Sequence, residues 1–181
     1  MNDAAMTALL VGGLLAVVYG AMAAAPDAAL LWLRRFPRHR PCAWVLTAVA
    51  LVWAGWLLYH TPLGPFERFK PSLVVLTPLA VFLLGRFVDE LLAARALGGL
   101  LLLVPAPILD AVRWHDSVFR YVLIVLAYVM VVKGIALVLS PYLFRKGVEL
   151  VCPDRGRTRL VGGVGLALGL FIVGLGVTVF R

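Results

Sequence analysis

The chain has 181 residues, 63% of them hydrophobic and 14% charged, with a formal net charge of +8 and a mean hydropathy of +1.00. Apolar residues make up about half of an ordinary globular domain, so this balance excludes a soluble fold and implies an integral membrane protein counted in spans of about 20 residues. The basic residues fall between apolar runs and not along one amphipathic face, which argues for membrane topology and against nucleic-acid binding.

In chain order, the pattern predicts an all-α integral membrane protein, a single membrane domain with about six transmembrane helices. The first span, 4–25, carries no charge and offers Gly12, Gly13 and Gly20 for close packing. It ends in small residues before Pro26 like a cleaved signal, but its leading residues hold Asp3 and no Lys or Arg, so a retained helix is expected. A basic and aromatic segment follows over 26–41, where Arg34, Arg35, Arg38 and Arg40 sit among Leu30, Leu31, Trp32, Leu33 and Phe36, a mixture suited to anionic lipid headgroups. The second span, 42–60, has Trp44 and Tyr59 near its ends, as the interfacial aromatic belt requires, and Pro62 and Pro65 stop it.

The third span, 72–88, runs into Arg86, Asp89, Glu90 and Arg95, and the Arg86–Glu90 spacing suits pairing on one helical face. The fourth, 96–112, is short and interrupted by Pro105 and Pro107, so a kinked span and a re-entrant hairpin both stand. The fifth, 121–140, is apolar except for Lys133. The sixth, 160–180, places Gly162, Gly165, Gly169 and Gly176 on one stripe that invites close approach by another helix.

With six spans, the loops after the first, third and fifth hold eleven basic residues: Arg34, Arg35, Arg38, Arg40, Arg86, Arg95, Arg145, Lys146, Arg155, Arg157 and Arg159. The opposite side holds five, namely Arg68, Lys70, Arg113, Arg120 and Arg181. Cytoplasmic loops carry the basic excess, so both termini are expected outside the cytoplasm. Cys42 and Cys152 fall beside basic segments and form no C-x-x-C pair, which argues against a disulfide or a thiolate metal site.

Lys133-Gly134, Ser140-Pro141, Phe144-Arg145-Lys146, Arg159-Leu160-Val161-Gly162 and Leu168-Gly169-Leu170 together give the hairpin from about 121 to 179 a resemblance to the YjeT-type family. These are small bacterial inner-membrane proteins of unknown function, built from two transmembrane helices. The family pattern has an acidic residue where this chain has Lys133. The resemblance implies placement in a bacterial inner membrane.

Lys133 is the outstanding candidate, because a charge within a span is costly and asks for a partner or a role in proton or ion movement. The bland alternative is a lysine that snorkels or bonds a carbonyl between helices. His60, Arg113, His115 and Asp116 fall on the same expected side, where histidines could ligate haem or polar groups could hold a quinone. Asp89 and Glu90 are adjacent, hence about 100° apart on a helix, and do not make an acid/base dyad. Ser72, Ser117 and Ser140 lack a nucleophile elbow. No catalytic signature emerges, no resident cofactor is expected, and the favoured reading is a non-catalytic accessory or structural subunit whose partners are other membrane subunits and anionic lipids. A small transporter or channel, and a quinone- or haem-binding anchor of a redox complex, are the alternatives.

Overall fold

The computed structural model describes residues 3–62, 64–87, 91–113 and 117–180. Among these residues the chain is helical, without a strand. The helices are α1 (Asp3–Ala24), α2 (Pro26–Arg35), α3 (Arg40–His60), α4 (Lys70–Phe87), α5 (Leu92–Leu103), α6 (Pro105–Val112), α7 (Arg120–Leu139), α8 (Tyr142–Val151) and α9 (Arg155–Thr178), with 3-10 turns at Phe36–Arg38 and Gly64–Phe69.

Among the described residues six helical stretches are long and apolar enough to cross a membrane: α1, α3, α4, Leu92–Val112, α7 and α9. Their outward faces are as apolar as their contacts. In the spanning window of α4 6% of the residues are buried, and even in the best-covered span, Leu92–Val112, the figure is 39%. So much exposed apolar surface requires a lipid solvent, and the protein is an all-α, multi-pass membrane protein.

The fourth candidate span is a helix broken at one residue. Val104 joins α5 to α6 with φ −57° and ψ −37°, which is helical backbone, so the chain continues forward at this point. Pro105 and Pro107 cannot donate to the preceding turn, which accounts for the interruption. Pro78 sits inside α4 and likewise leaves the Val74 carbonyl without its helical donor.

Hydropathy misplaced several ends, because polar caps start helices outside the apolar run. α9 starts at Arg155, ahead of the expected 160, where the Asp154 carboxylate accepts from the Arg157 amide at 2.8 Å. α3 starts at Arg40, where His39 Nδ1 accepts from the Cys42 amide at 3.3 Å and Pro41 opens the first turn. The break after α3 lies where its prolines were, with Gly64 at φ +54°, a conformation that favours glycine. The end expected at Val88, and the expected pairing of Arg86 with Glu90, lie outside the described residues.

Where composition shows one uninterrupted membrane domain, the contacts divide the chain into two compact units. The first comprises Met1–Arg34, Val104–Val132 and Arg145–Arg181; the second comprises Arg35–Leu103 and Lys133–Phe144.

In the first unit α1 and α9 pack antiparallel, from Ala23 against Gly162 to Ala8 against Gly176. A Cβ added at Gly162 would meet the Ala23 amide nitrogen at 2.6 Å, at Gly169 the Ala16 nitrogen at 2.6 Å, and at Gly176 the Ala8 Cβ at 3.2 Å. Gly165 faces the Tyr19 ring, and Gly12 returns the contact against the Gly169 carbonyl. Towards the Asp3 end of α1, Ala4, Ala5 and Ala8 join Ile108, Val112, Leu123, Ala127, Ile172 and Phe180 in a core shared with α6 and the start of α7.

In the second unit α3 and α4 form an antiparallel hairpin, with Gly85 against the Trp44 ring and Gly55 against Thr77. α5 lies along α3 in the same direction, from Ala43 and Leu92 at one end to Ala50 and Gly99 at the other. Gly98 and Gly134 meet backbone to backbone, each site for a Cβ lying 2.9 Å from the other's carbonyl oxygen.

Gly169→Val drives a branched side chain into the α1 backbone and is expected to destabilise the protein by about 1–3 kcal/mol. Gly163→Ala, on the same helix with nothing within 4 Å of its Cβ site, is expected to be neutral or stabilising by less than about 1 kcal/mol. Thermal unfolding of both variants in detergent checks the contrast.

Candidate functional site

The glycine stripe of α9 was expected to receive another helix, and it does: the helix is α1 of the same chain. Gly162, Gly165, Gly169 and Gly176 are all buried in that contact. The stripe is therefore internal architecture and supplies no free docking face.

Lys133 is different. Its neighbour Gly134 is buried against α5, while Lys133 itself is exposed on the outer surface of α7. Successive helical residues are turned by about 100°, so the close approach at Gly134 directs Lys133 away from the protein. Val132 and Ile135 beside it are exposed as well. No hydrogen bond or ion pair to Lys133 occurs among the described residues. Of the readings the sequence leaves open, a lysine bonded to a carbonyl between helices does not match its exposure: Lys133 stands on the exposed side of α7, six residues before the end of the helix at Leu139, about 9 Å along the helix axis.

At the end of the first unit where α1 finishes and α9 begins, basic groups gather. Arg34 donates to the Pro153 carbonyl at 3.3 Å, and Arg155 pairs with Asp27 at 3.3 Å. Both partners of the ion pair are about two-thirds exposed, so it is worth no more than about 1 kcal/mol. Its geometric effect is larger, since it ties α2 to the start of α9. Arg35, Arg38 and Arg40 are also exposed, as headgroup contact requires.

α8 was not anticipated. Its polar residues Arg145, Lys146 and Glu149 alternate at helical spacing with Leu143, Phe144 and Val148, and Phe144 packs on Phe36 with ring centroids 5.3 Å apart. That spacing was available in the sequence, but Pro141 and the basic residues read as loop.

The candidate quinone or haem residues fall in different parts of the chain. His60 belongs to the second unit and Arg113 to the first, while His115 and Asp116 lie outside the described residues. His60 Nδ1 donates to the Trp56 carbonyl at 2.8 Å. The ring lies 4.7 Å from the Trp56 ring, tilted to it, and 5.5 Å from the Tyr59 ring, edge-on. Those two aromatics line a groove of about 370 Å³ between α3 and α4, together with Thr77 and Pro78.

Arg113 borders a second groove, of about 430 Å³, with Asp110, Arg120, Tyr121, Ile124 and Tyr128. Sequence reasoning singled out Arg113 and missed the others. Tyr121, Ile124 and Tyr128 are spaced by three and four, so one helical face was there to be read. Among the described residues no group of three His, Cys, Asp or Glu side chains is placed to hold a metal ion.

Asp154→Ala removes the cap of α9 and is expected to cost about 1 kcal/mol, with Asp154→Asn close to neutral. Hydrogen exchange at the amides of residues 155–158 is the check, with faster exchange in the alanine variant alone. The chain matches no protein-family model, no curated protein and no solved structure.

Proposed function

We propose that this protein is a non-catalytic subunit of a larger bacterial inner-membrane assembly and that it docks through the outward face of α7. The observation that carries the reading is Lys133, a charged side chain exposed among Val132, Ile135 and other apolar residues on the surface of a span. A lysine at the centre of a transmembrane helix costs about 2.5–3.5 kcal/mol on insertion scales. Lys133 lies off centre, and snorkelling towards the nearer end of α7 lowers that cost without removing it. A carboxylate on a neighbouring chain at the same depth offsets it directly and gives the contact a register.

The transport alternative needs the lysine on a polar route inside the protein, and an outward lysine speaks against it. In this reading the basic loops face the cytoplasm and both termini lie on the other side. The antiparallel α1–α9 pair supports an even number of spans, because it brings the two ends of the chain to the same end of the unit. A reporter active only outside the cytoplasm, fused to the C-terminus, is expected to be active; inactivity refutes the orientation.

One observation favours a second reading. His60 packs against the two aromatics that line the α3–α4 groove, tilted to Trp56 and edge-on to Tyr59, and with Nδ1 held by the Trp56 carbonyl its Nε2 is the ring nitrogen that would meet a quinone or quinol. Absence of extractable quinone from protein purified out of its native membrane refutes it.

For the main reading, Lys133→Met is expected to lower recovery of a copurifying membrane partner by more than tenfold, since losing one member of a desolvated pair costs about 2–5 kcal/mol. Insertion and thermal stability are expected to persist. Unchanged stoichiometric recovery contradicts the assignment.

A further inference from the structure

The groove between α3 and α4 contains a polar group that its own helix leaves unused. Thr61, Thr158 and Thr178 each donate to the carbonyl four residues back, at 2.7, 2.8 and 2.7 Å, the usual resort of a hydroxyl in an apolar helix. Thr77 does not: among the described residues its hydroxyl has no hydrogen-bond partner. Its Oγ1 points across to α3 instead, 2.6 Å from where a Cβ on Gly55 would stand. We propose that Thr77 selects the ligand of this groove: its hydroxyl bonds one oxygen of a 1,4-quinone whose ring lies against Trp56, and the opposite oxygen is directed to the end of α3 that carries Tyr59 and His60. This rests on the quinone reading of the groove and adds the residue that sets its specificity.

Three observations carry it. First, Thr77 lies seven residues into α4 from Lys70, about 10 Å along its axis. Hydrocarbon at that depth offers a hydroxyl no partner, so a ligand that carries an oxygen is favoured there. An acyl chain fills the same space and leaves the hydroxyl unbonded. Second, the groove has an acceptor beside this donor: Val74 lines it too, and Pro78 withholds the amide that the Val74 carbonyl would otherwise receive. A quinone oxygen meets the Thr77 hydroxyl, and the hydroxyl of the reduced ring meets either group. Third, Gly55 lies five residues before His60, about 7.5 Å along α3. A ring with oxygens on opposite sides bridges such a separation when each hydrogen bond adds about 2.8 Å. The groove, about 370 Å³, is of small-ligand size, and Val52, Trp56 and Val74 along it are exposed, so the ring enters sideways from the bilayer and leaves its tail in the hydrocarbon.

The test is a titration of delipidated, full-length protein in detergent, read by native mass spectrometry. The probes are a decyl-substituted 1,4-benzoquinone and decylbenzene, which has the same tail on a ring without oxygens. The wild type is expected to bind one quinone, about tenfold more tightly than decylbenzene. Thr77→Val, and the smaller Thr77→Ala, are each expected to weaken quinone binding about fivefold to tenfold and to leave decylbenzene binding unchanged, as loss of one hydrogen bond requires. Thr77→Ser keeps the hydroxyl and is expected to bind as the wild type does. Thr178→Val, which removes a threonine hydroxyl from the other unit, is expected to change neither. Quinone binding that survives both Thr77→Val and Thr77→Ala, or equal weakening by Thr77→Ser or Thr178→Val, overturns the role of Thr77 and leaves the quinone reading standing. Absence of saturable quinone binding in the wild type overturns both.

Discussion

The structure depends first on the backbone contact between α1 and α9. Lipid chains are as apolar as leucine, so helices in a bilayer gain little from burying hydrocarbon and associate through close packing. Gly162, Gly169 and Gly12 let two backbones approach until their own amide and carbonyl atoms become the contact surface. That approach joins the two ends of the sequence and orders their polar ends. α2 and the Asp154 cap fall together at one end, while the alanines of α1, the aromatic ring of Phe180 and the start of α7 form a core towards the other.

The same principle recurs in the second unit and explains the odd position of Lys133. Gly98 and Gly134 cross without side chains between them, which fixes the rotation of the last turns of α7. With Gly134 turned inward, the residue before it faces out. The lysine is thus held in an unfavourable place by a packing constraint that acts on its neighbour. Such a side chain is either drawn towards headgroups or answered by another chain, and these alternatives differ in what touches α7 beyond the lipid.

Much of the architecture was legible in the sequence. The six spans follow from apolar length alone, since a bilayer sets both the run needed and the loops allowed. The stripe of Gly162, Gly165, Gly169 and Gly176 was readable as a contact face, yet its partner was not, because a glycine face says how closely a helix can approach and not which one. Hydropathy also cannot see caps, so the start of α9 at Arg155 required the Asp154 side chain, which is visible only in the fold. The direction of Lys133 depended on the crossing at Gly134, a contact with a residue far away in the chain. The charged groove was hidden for another reason: Asp110 and Arg120 belong to two helices, Arg113 follows the first of them, and periodicity treats each helix separately. Of the residues picked by type, His60 found aromatic company at Trp56 and Tyr59, whereas its expected partner His115 lies outside the described residues.

The central claim is that another protein chain covers the outward face of α7. Site-specific photo-crosslinking in native membranes tests it most directly, with the crosslinker at Val132 beside Lys133 and, as a control, at Leu175, which is buried in the α1–α9 core. A discrete adduct with a second protein at Val132, absent at Leu175, is the predicted result. Crosslinks at Val132 to lipid alone contradict the account.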